Sequence, residues 1–155
     1  LLEGTNISEG RGTTRPFEIF GKPGIEPEEL VKRLHQEELP GVKFRPLYFQ
    51  PTFSKYQGEL CGGAQIHIID RQSFLPVLTG VAVICAIYQM DKEKFSWRLP
   101  PYEYETEKLP IDILAGTDKL RIQIESGCSL SEIYQSWQRD LDNFRKIRQQ
   151  YLLYP

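Results

Sequence analysis

Pro76 to Met90 limits the fold more than any other segment. Leu78, Val81, Ala82, Ile84, Cys85 and Tyr88 recur at helical spacing behind Pro76, which suits a first helical turn. The apolar stripe is wide, so this helix has to be substantially buried. A chain of 155 residues is one domain's worth and long enough to supply that cover. The longest apolar run, Val81 to Ile87, is too short to cross a bilayer.

The rest of the chain supplies elements to pack on this helix. Pro27 opens a second one, with Glu28 and Glu29 at its positive end, Leu30, Val31 and Leu34 as its buried stripe, and Leu39-Pro40-Gly41 as its stop. Residues 42–50 and 64–70 read as strands, and Pro46 pushes the first towards a sheet edge. Residues 1–5 read as the end of a third strand, and residues 6–24 as irregular. Pro100-Pro101 and the acidic run after them read as a solvated connector. Short helices are expected over 110–114 and 118–125. Ser129-Leu-Ser-Glu132 is a capping sequence, and Ile133, Trp137, Leu141, Phe144, Ile147 and Tyr151 mark a long terminal amphipathic helix. Strands and helices do not alternate regularly. The expected class is therefore α+β: a small mixed sheet of about three to four strands, packed helices and a long C-terminal helix.

Two glycine-punctuated polar blocks, residues 3–18 and 50–63, follow neither a helical nor a strand period. Both adjoin expected strands, so they meet at one end of the sheet if those strands are neighbours. Loops on a rigid sheet are a common place for a site. In the first block Glu3 and Glu9 alternate with Arg11 and Arg15, and Asn6, Ser8 and Thr13 add neutral donors and acceptors. That mixture suits a polyhydroxylated ligand carrying an acetamido or carboxylate group. The second block and the strand after it offer Tyr56, Glu59 and His67, with Tyr56 as a stacking face while Phe49 and Phe53 fit the core. Glycosidic cleavage commonly needs two carboxyl groups flanking the bond. Glu9, between Ser8 and Gly10, is the candidate catalytic acid; equally, it can be an ion-pair partner of Arg11 or Arg15 that holds the loop. His67 is the one imidazole placed for chemistry, and a structural hydrogen bond is its other reading.

Other chemistries find little support. The net charge of −2 gives no reason to expect nucleic acid or an anionic membrane as partner. Three cysteines without a CxxC pair, and two histidines without an acidic cluster, suggest neither a disulfide framework nor a metal site. Gly10-Arg-Gly12 lacks the spacing of a phosphate loop, and no cofactor is expected.

The string Glu3-Gly-Thr-Asn-Ile-Ser-Glu-Gly-Arg-Gly-Thr13, followed by Pro16-Phe-Glu18, resembles the start of the C-terminal half of the bacterial exo-β-N-acetylmuramidase family. Pro51-Thr-Phe-Ser-Lys-Tyr-Gln-Gly-Glu-Leu-Cys-Gly-Gly-Ala-Gln-Ile-His67 matches the same family in the same order. The resemblance implies that residues 1–155 are one domain, the second half of a two-domain glycoside hydrolase with a Rossmann-like N-terminal domain as partner. It implies peptidoglycan fragments as substrate and an extracellular or periplasmic location. The main catalytic acid would lie in the other domain. Glu3, Asn6, Ser8, Arg11, Thr13, Arg15, Tyr56, Glu59 and His67 would hold a terminal N-acetylmuramic acid in the interdomain cleft, and this domain alone would be inactive. A non-catalytic carbohydrate-binding or scaffold domain is the alternative.

Overall fold

The computed structural model describes residues 1–154. At its centre three strands run in the order β1 (Ile19–Lys22), β3 (Cys61–Ile68), β2 (Val42–Phe49). β3 pairs with β2 along its whole length, from Phe49↔Cys61 to Val42↔Ile68. It pairs with β1 only from Lys22↔Gly62 to Ile19↔Gln65. The fold is α+β as expected, but the sheet is antiparallel throughout rather than mixed. The chain passes from β1 through α1 (Pro27–Gln36) to β2, and β3 then inserts between the two strands, antiparallel to both. Pro46 lies on an edge strand, where its missing N–H costs no inner ladder bond.

Alternation along the strands makes two cores. Phe20, Phe44 and Val42 face the helices, with Phe20 and Phe44 edge to face at 6.2 Å. Leu30, Val31 and Leu34 of α1 join them, as do Leu78, Val81, Ala82, Val83, Ile84, Ala86 and Ile87 of α2 (Pro76–Met90). Ile84 and Ile87 are fully buried, and truncating either to Ala should cost about 2–5 kcal/mol. On the other face Ile19, Phe49 and Cys61 form a smaller cluster with Leu47 and Tyr56.

Residues 1–5 do not form a strand. Leu2–Gly4 is a 3-10 turn, and Gly4 lies so close to Ile111 that a Cβ there would come within 2.8 Å of the Ile111 backbone. The third strand is β1 instead, inside the stretch expected to be irregular. All four of its residues are buried, so it shows no polar-apolar alternation. Gly21 and Gly63 bring the β1 and β3 backbones into close approach, and Lys22 is buried against Asp91 as an ion pair.

The remaining elements are α3 (Pro110–Ala115), α4 (Lys119–Glu125), α5 (Leu130–Ser136) and α6 (Gln138–Gln149). Gly116, at φ 72°, ends α3. Ser129 and Glu132 form the expected capping box at the start of α5. The long terminal helix turns at Trp137, with φ −104° and ψ −3°, which divides it into α5 and α6. No helix among the described residues is long and apolar enough to cross a membrane.

Candidate functional site

The first polar block is pinned by its backbone. The Ser8 N–H donates to the Gly21 carbonyl at 2.8 Å, and the Gly21 N–H donates back at 3.1 Å, so Ser8 extends the sheet at the outer edge of β1. The Phe17 N–H donates to the Glu9 carbonyl at 2.7 Å and closes the loop between them. On its other side the block meets residues 94–98. Asn6 N–H donates to the Ser96 carbonyl and Arg98 N–H to the Gly4 carbonyl, each at 2.9 Å, and Asn6 Nδ2 donates to the Lys94 carbonyl at 2.7 Å. Phe95 anchors that segment between Tyr88 and Trp97 through edge-to-face contacts at 5.1 and 4.9 Å.

The two blocks do meet. Both the backbone N–H and the hydroxyl of Thr52 donate to the Gly12 carbonyl, at 2.8 and 2.9 Å. Gly12 has φ +83°, and a Cβ there would lie 2.5 Å from the Phe53 carbonyl oxygen, so this contact requires glycine. Lys55 reaches across and spends all three donors: to Ile7 O at 2.9 Å, Leu2 O at 3.1 Å and Glu9 Oε2 at 2.9 Å.

Between the blocks and the 94–98 segment lies an open cleft of about 430 Å³, lined by Glu3, Thr5, Asn6, Glu9, Arg11, Ser54, Lys55 and Arg98. Its charges are interlocked. Glu9 is buried, and its carboxylate accepts from Lys55 and, at 3.1 Å, pairs with Arg11 Nε. Arg11 also pairs with Glu3, and its guanidinium stands 5.3 Å from the Phe17 ring centroid. The Tyr102 hydroxyl donates to the other Glu3 oxygen at 3.2 Å. Burial lowers the Lys55 ammonium below its usual range, although the Glu9 carboxylate pulls it back up. Arg98 differs: it is exposed, stacks 5.3 Å from the Tyr102 ring centroid, and makes no ion pair among the described residues. Three cations against two carboxylates leave the cleft one positive charge in excess, and Arg98 carries it.

Of the ten residues singled out from sequence, Glu3, Asn6, Glu9 and Arg11 line the cleft. Ser8 is buried in the loop and accepts from Gly10 N–H at 3.2 Å. The Thr13 hydroxyl donates to the Gly10 carbonyl at 2.6 Å, and Arg15 pairs at the surface with Glu18 at 3.2 Å. Tyr56 and Glu59 lie outside the cleft. Left-handed backbone at Ser54 (φ 71°) and Tyr56 (φ 59°) turns the Tyr56 ring onto the Ile19–Phe49–Cys61 cluster, where burial pushes its hydroxyl up to about 12. Glu59 is exposed at the end of that turn, and Phe53, read as core, is 60% exposed. His67 is exposed near the far end of β3, opposite Lys43 and beyond the reach of β1. Cys61, at the other end of that strand, is not paired with it; burial pushes its thiol up to about 11. Among the described residues no three His, Cys, Asp or Glu side chains form a metal-ligating group.

Sequence reasoning missed Arg98 altogether and did not single out Lys55. Lys55 sits within the second matched string, so its place there was the available signal. Arg98 lies in no motif and reaches the cleft only through the long-range pairing of residues 94–98 with 4–6.

The family model described as exo-beta-N-acetylmuramidase NamZ, C-terminal, matches residues 1–154. A Bacillus subtilis (strain 168) protein named peptidoglycan beta-N-acetylmuramidase NamZ is 45% identical over 154 residues, an overlap of 99% of this chain and 35% of that protein. A solved structure of a DUF1343 family protein from Bacteroides fragilis superposes with a TM-score of 0.81 at 25% identity, over 97% of this chain and 38% of that one. The chain thus spans little more than a third of either protein.

Proposed function

The chain belongs to the C-terminal family of the NamZ exo-beta-N-acetylmuramidases, and from that premise we propose that it is the substrate-facing C-terminal domain of a peptidoglycan glycoside hydrolase. The intact protein removes N-acetylmuramic acid from the non-reducing end of peptidoglycan fragments, outside the cytoplasmic membrane. A preceding Rossmann-like domain supplies the main catalytic acid, and the cleft between the two polar blocks holds the sugar.

One observation carries this reading: the cleft is polar, built from both blocks that resemble the family, and has, among the described residues, a single cation without an ion pair, Arg98. N-acetylmuramic acid differs from N-acetylglucosamine by a lactyl ether that bears a carboxylate. Arg98 is the group suited to it, because a guanidinium matches a carboxylate through two parallel hydrogen bonds. Arg11 and Arg15 are less available, since Glu3, Glu9 and Glu18 already occupy them. Glu9 is also committed, to two cations at once, so its role is to hold Arg11 and Lys55 in place.

The test compares intact protein with its Arg98→Ala variant on chromogenic β-N-acetylmuramide and β-N-acetylglucosaminide. Losing a hydrogen-bonded charge contact worth about 1.5–3 kcal/mol raises KM for the muramide roughly 10–100-fold, with a smaller change in kcat. Activity on the glucosaminide, if any, is unaffected. An intact protein inactive on the muramide overturns the proposed activity. An unchanged muramide KM in the variant overturns the role of Arg98.

A further inference from the structure

On a different part of the surface, α6 has no buried residue at all. A helix of 12 residues is marginal in water on its own, and most helical stability comes from packing an apolar face. Here that face is bare: Leu141, Phe144 and Ile147 share one side and are 37, 58 and 55% exposed. Across from it stands the first turn of α2, where Val77 is 59% exposed. Between them runs a largely apolar groove of about 510 Å³ whose lining includes Trp137 and Tyr134, stacked edge to face at 5.9 Å. Exposed apolar side chains gathered on one groove are the kind of surface that protein partners cover.

We propose that this groove seats the domain that precedes this one in the full-length protein. Two observations select that occupant. The chain spans 35% of its Bacillus subtilis relative, and its family is by description the C-terminal part, so most of such a protein lies upstream. Leu1 packs against Gly80, one turn along α2 from Val77, so the upstream polypeptide arrives on the helix that forms one wall of the groove. A tethered domain at that distance has a millimolar effective concentration, which favours it over a second copy. From the same point the chain reaches Glu3, on the wall of the polar cleft, within two residues. A domain seated in the groove therefore stands beside the cleft. The proposal needs the length relation only, not the identity of the sugar.

The experiment places a photoactivatable benzoylphenylalanine at position 144 of the full-length protein and maps the crosslinked peptides by mass spectrometry. The expected product is a crosslink of monomeric mass between α6 and a peptide upstream of Leu1. In parallel, hydrogen exchange compares the intact protein with its Val77→Lys/Phe144→Lys variant, which should lose roughly tenfold or more protection over residues 138–149. Unchanged exchange in β3 reports that the domain stays folded. A crosslink of dimeric mass that weakens on dilution assigns the groove to a second copy and overturns the proposal. So does rapid exchange of residues 138–149 in the unmodified intact protein. Loss of muramidase activity with the crosslink intact would bear on the proposed function and leave this interface standing.

Discussion

Glu9→Gln is the most informative single change, because Glu9 joins the two polar blocks through Lys55 and braces the first through Arg11. The Lys55 side chain is 23% exposed and that of Glu9 6%. At 2.9 Å and an effective dielectric of about 20 the bare attraction is about 6 kcal/mol. Desolvation offsets most of it, since burial outweighs the carboxylate in setting the direction of the Lys55 shift. A net coupling of about 2 kcal/mol between Glu9 and Lys55 is expected, in the range of hydrogen bonds to charged groups. Urea unfolding of wild type, Glu9→Gln, Lys55→Met and the double variant measures it as a cycle. The sign of the pH dependence gives a second check. Because the folded state lowers the Lys55 pKa, the unfolded state binds more protons between that lowered value and the ordinary lysine value of 10.5. This contribution to stability therefore rises with pH through that window. Glu9→Gln removes the group that pulls Lys55 back up, so its deficit relative to wild type should shrink as pH rises. Additivity within about 0.5 kcal/mol, together with a pH-independent deficit, would refute the bridging role.

Other consequences follow from the same geometry. Gly12→Ala should destabilise by about 2 kcal/mol or more, because it strains a left-handed residue and drives a Cβ into the Thr52–Phe53 backbone; denaturant melts check it, and a cost near zero would contradict the docking of the two blocks. Alkaline pH should weaken the contribution of two thiols: burial pushes Cys61 and Cys85 from the ordinary 9.0 up to about 11 and about 12, so from pH 9 to about 11 the unfolded chain loses these protons first and that contribution to stability falls. Native Cys61 should accordingly react with a thiol reagent far more slowly at pH 8 than after unfolding, as absorbance assays can follow. Ser129→Ala should remove the α5 cap and cost about 1 kcal/mol, read from the thermal midpoint.

How much of this was legible in the sequence varies by element. α2 was clear as a helix because its apolar positions are dense and start at a proline, but its burial is wider than the expected stripe: Thr79, Val83, Ala86 and Ile87 are buried as well, while Cys85 and Tyr88 are only half-buried. β1 was hidden because both of its faces are buried, through Gly21 on one side and the Lys22–Asp91 pair on the other, so the pattern that marks a half-exposed strand is missing. Leu1-Leu2 looked like a strand end, but three residues packed against α3 satisfy their backbone within a single turn. Composition did single out Glu3, Asn6, Glu9 and Arg11, because a loop with no apolar period has to hold its charges against one another. It misplaced Tyr56, whose direction depends on two left-handed residues that no local pattern announces. Strand alternation put His67 on a face but could not say that β1 ends before reaching it. Arg98 could not be found from sequence, since it is brought to the cleft by pairing across more than ninety residues.

Titrating N-acetylmuramic acid into this chain while following its backbone amide shifts tests the central idea most directly. The expected result is a set of shifts confined to residues 3–12, 52–55 and 94–98, with markedly weaker binding of N-acetylglucosamine, which lacks the carboxylate. Shifts centred on β3 near His67, or equal responses to the two sugars at millimolar concentration, would contradict it.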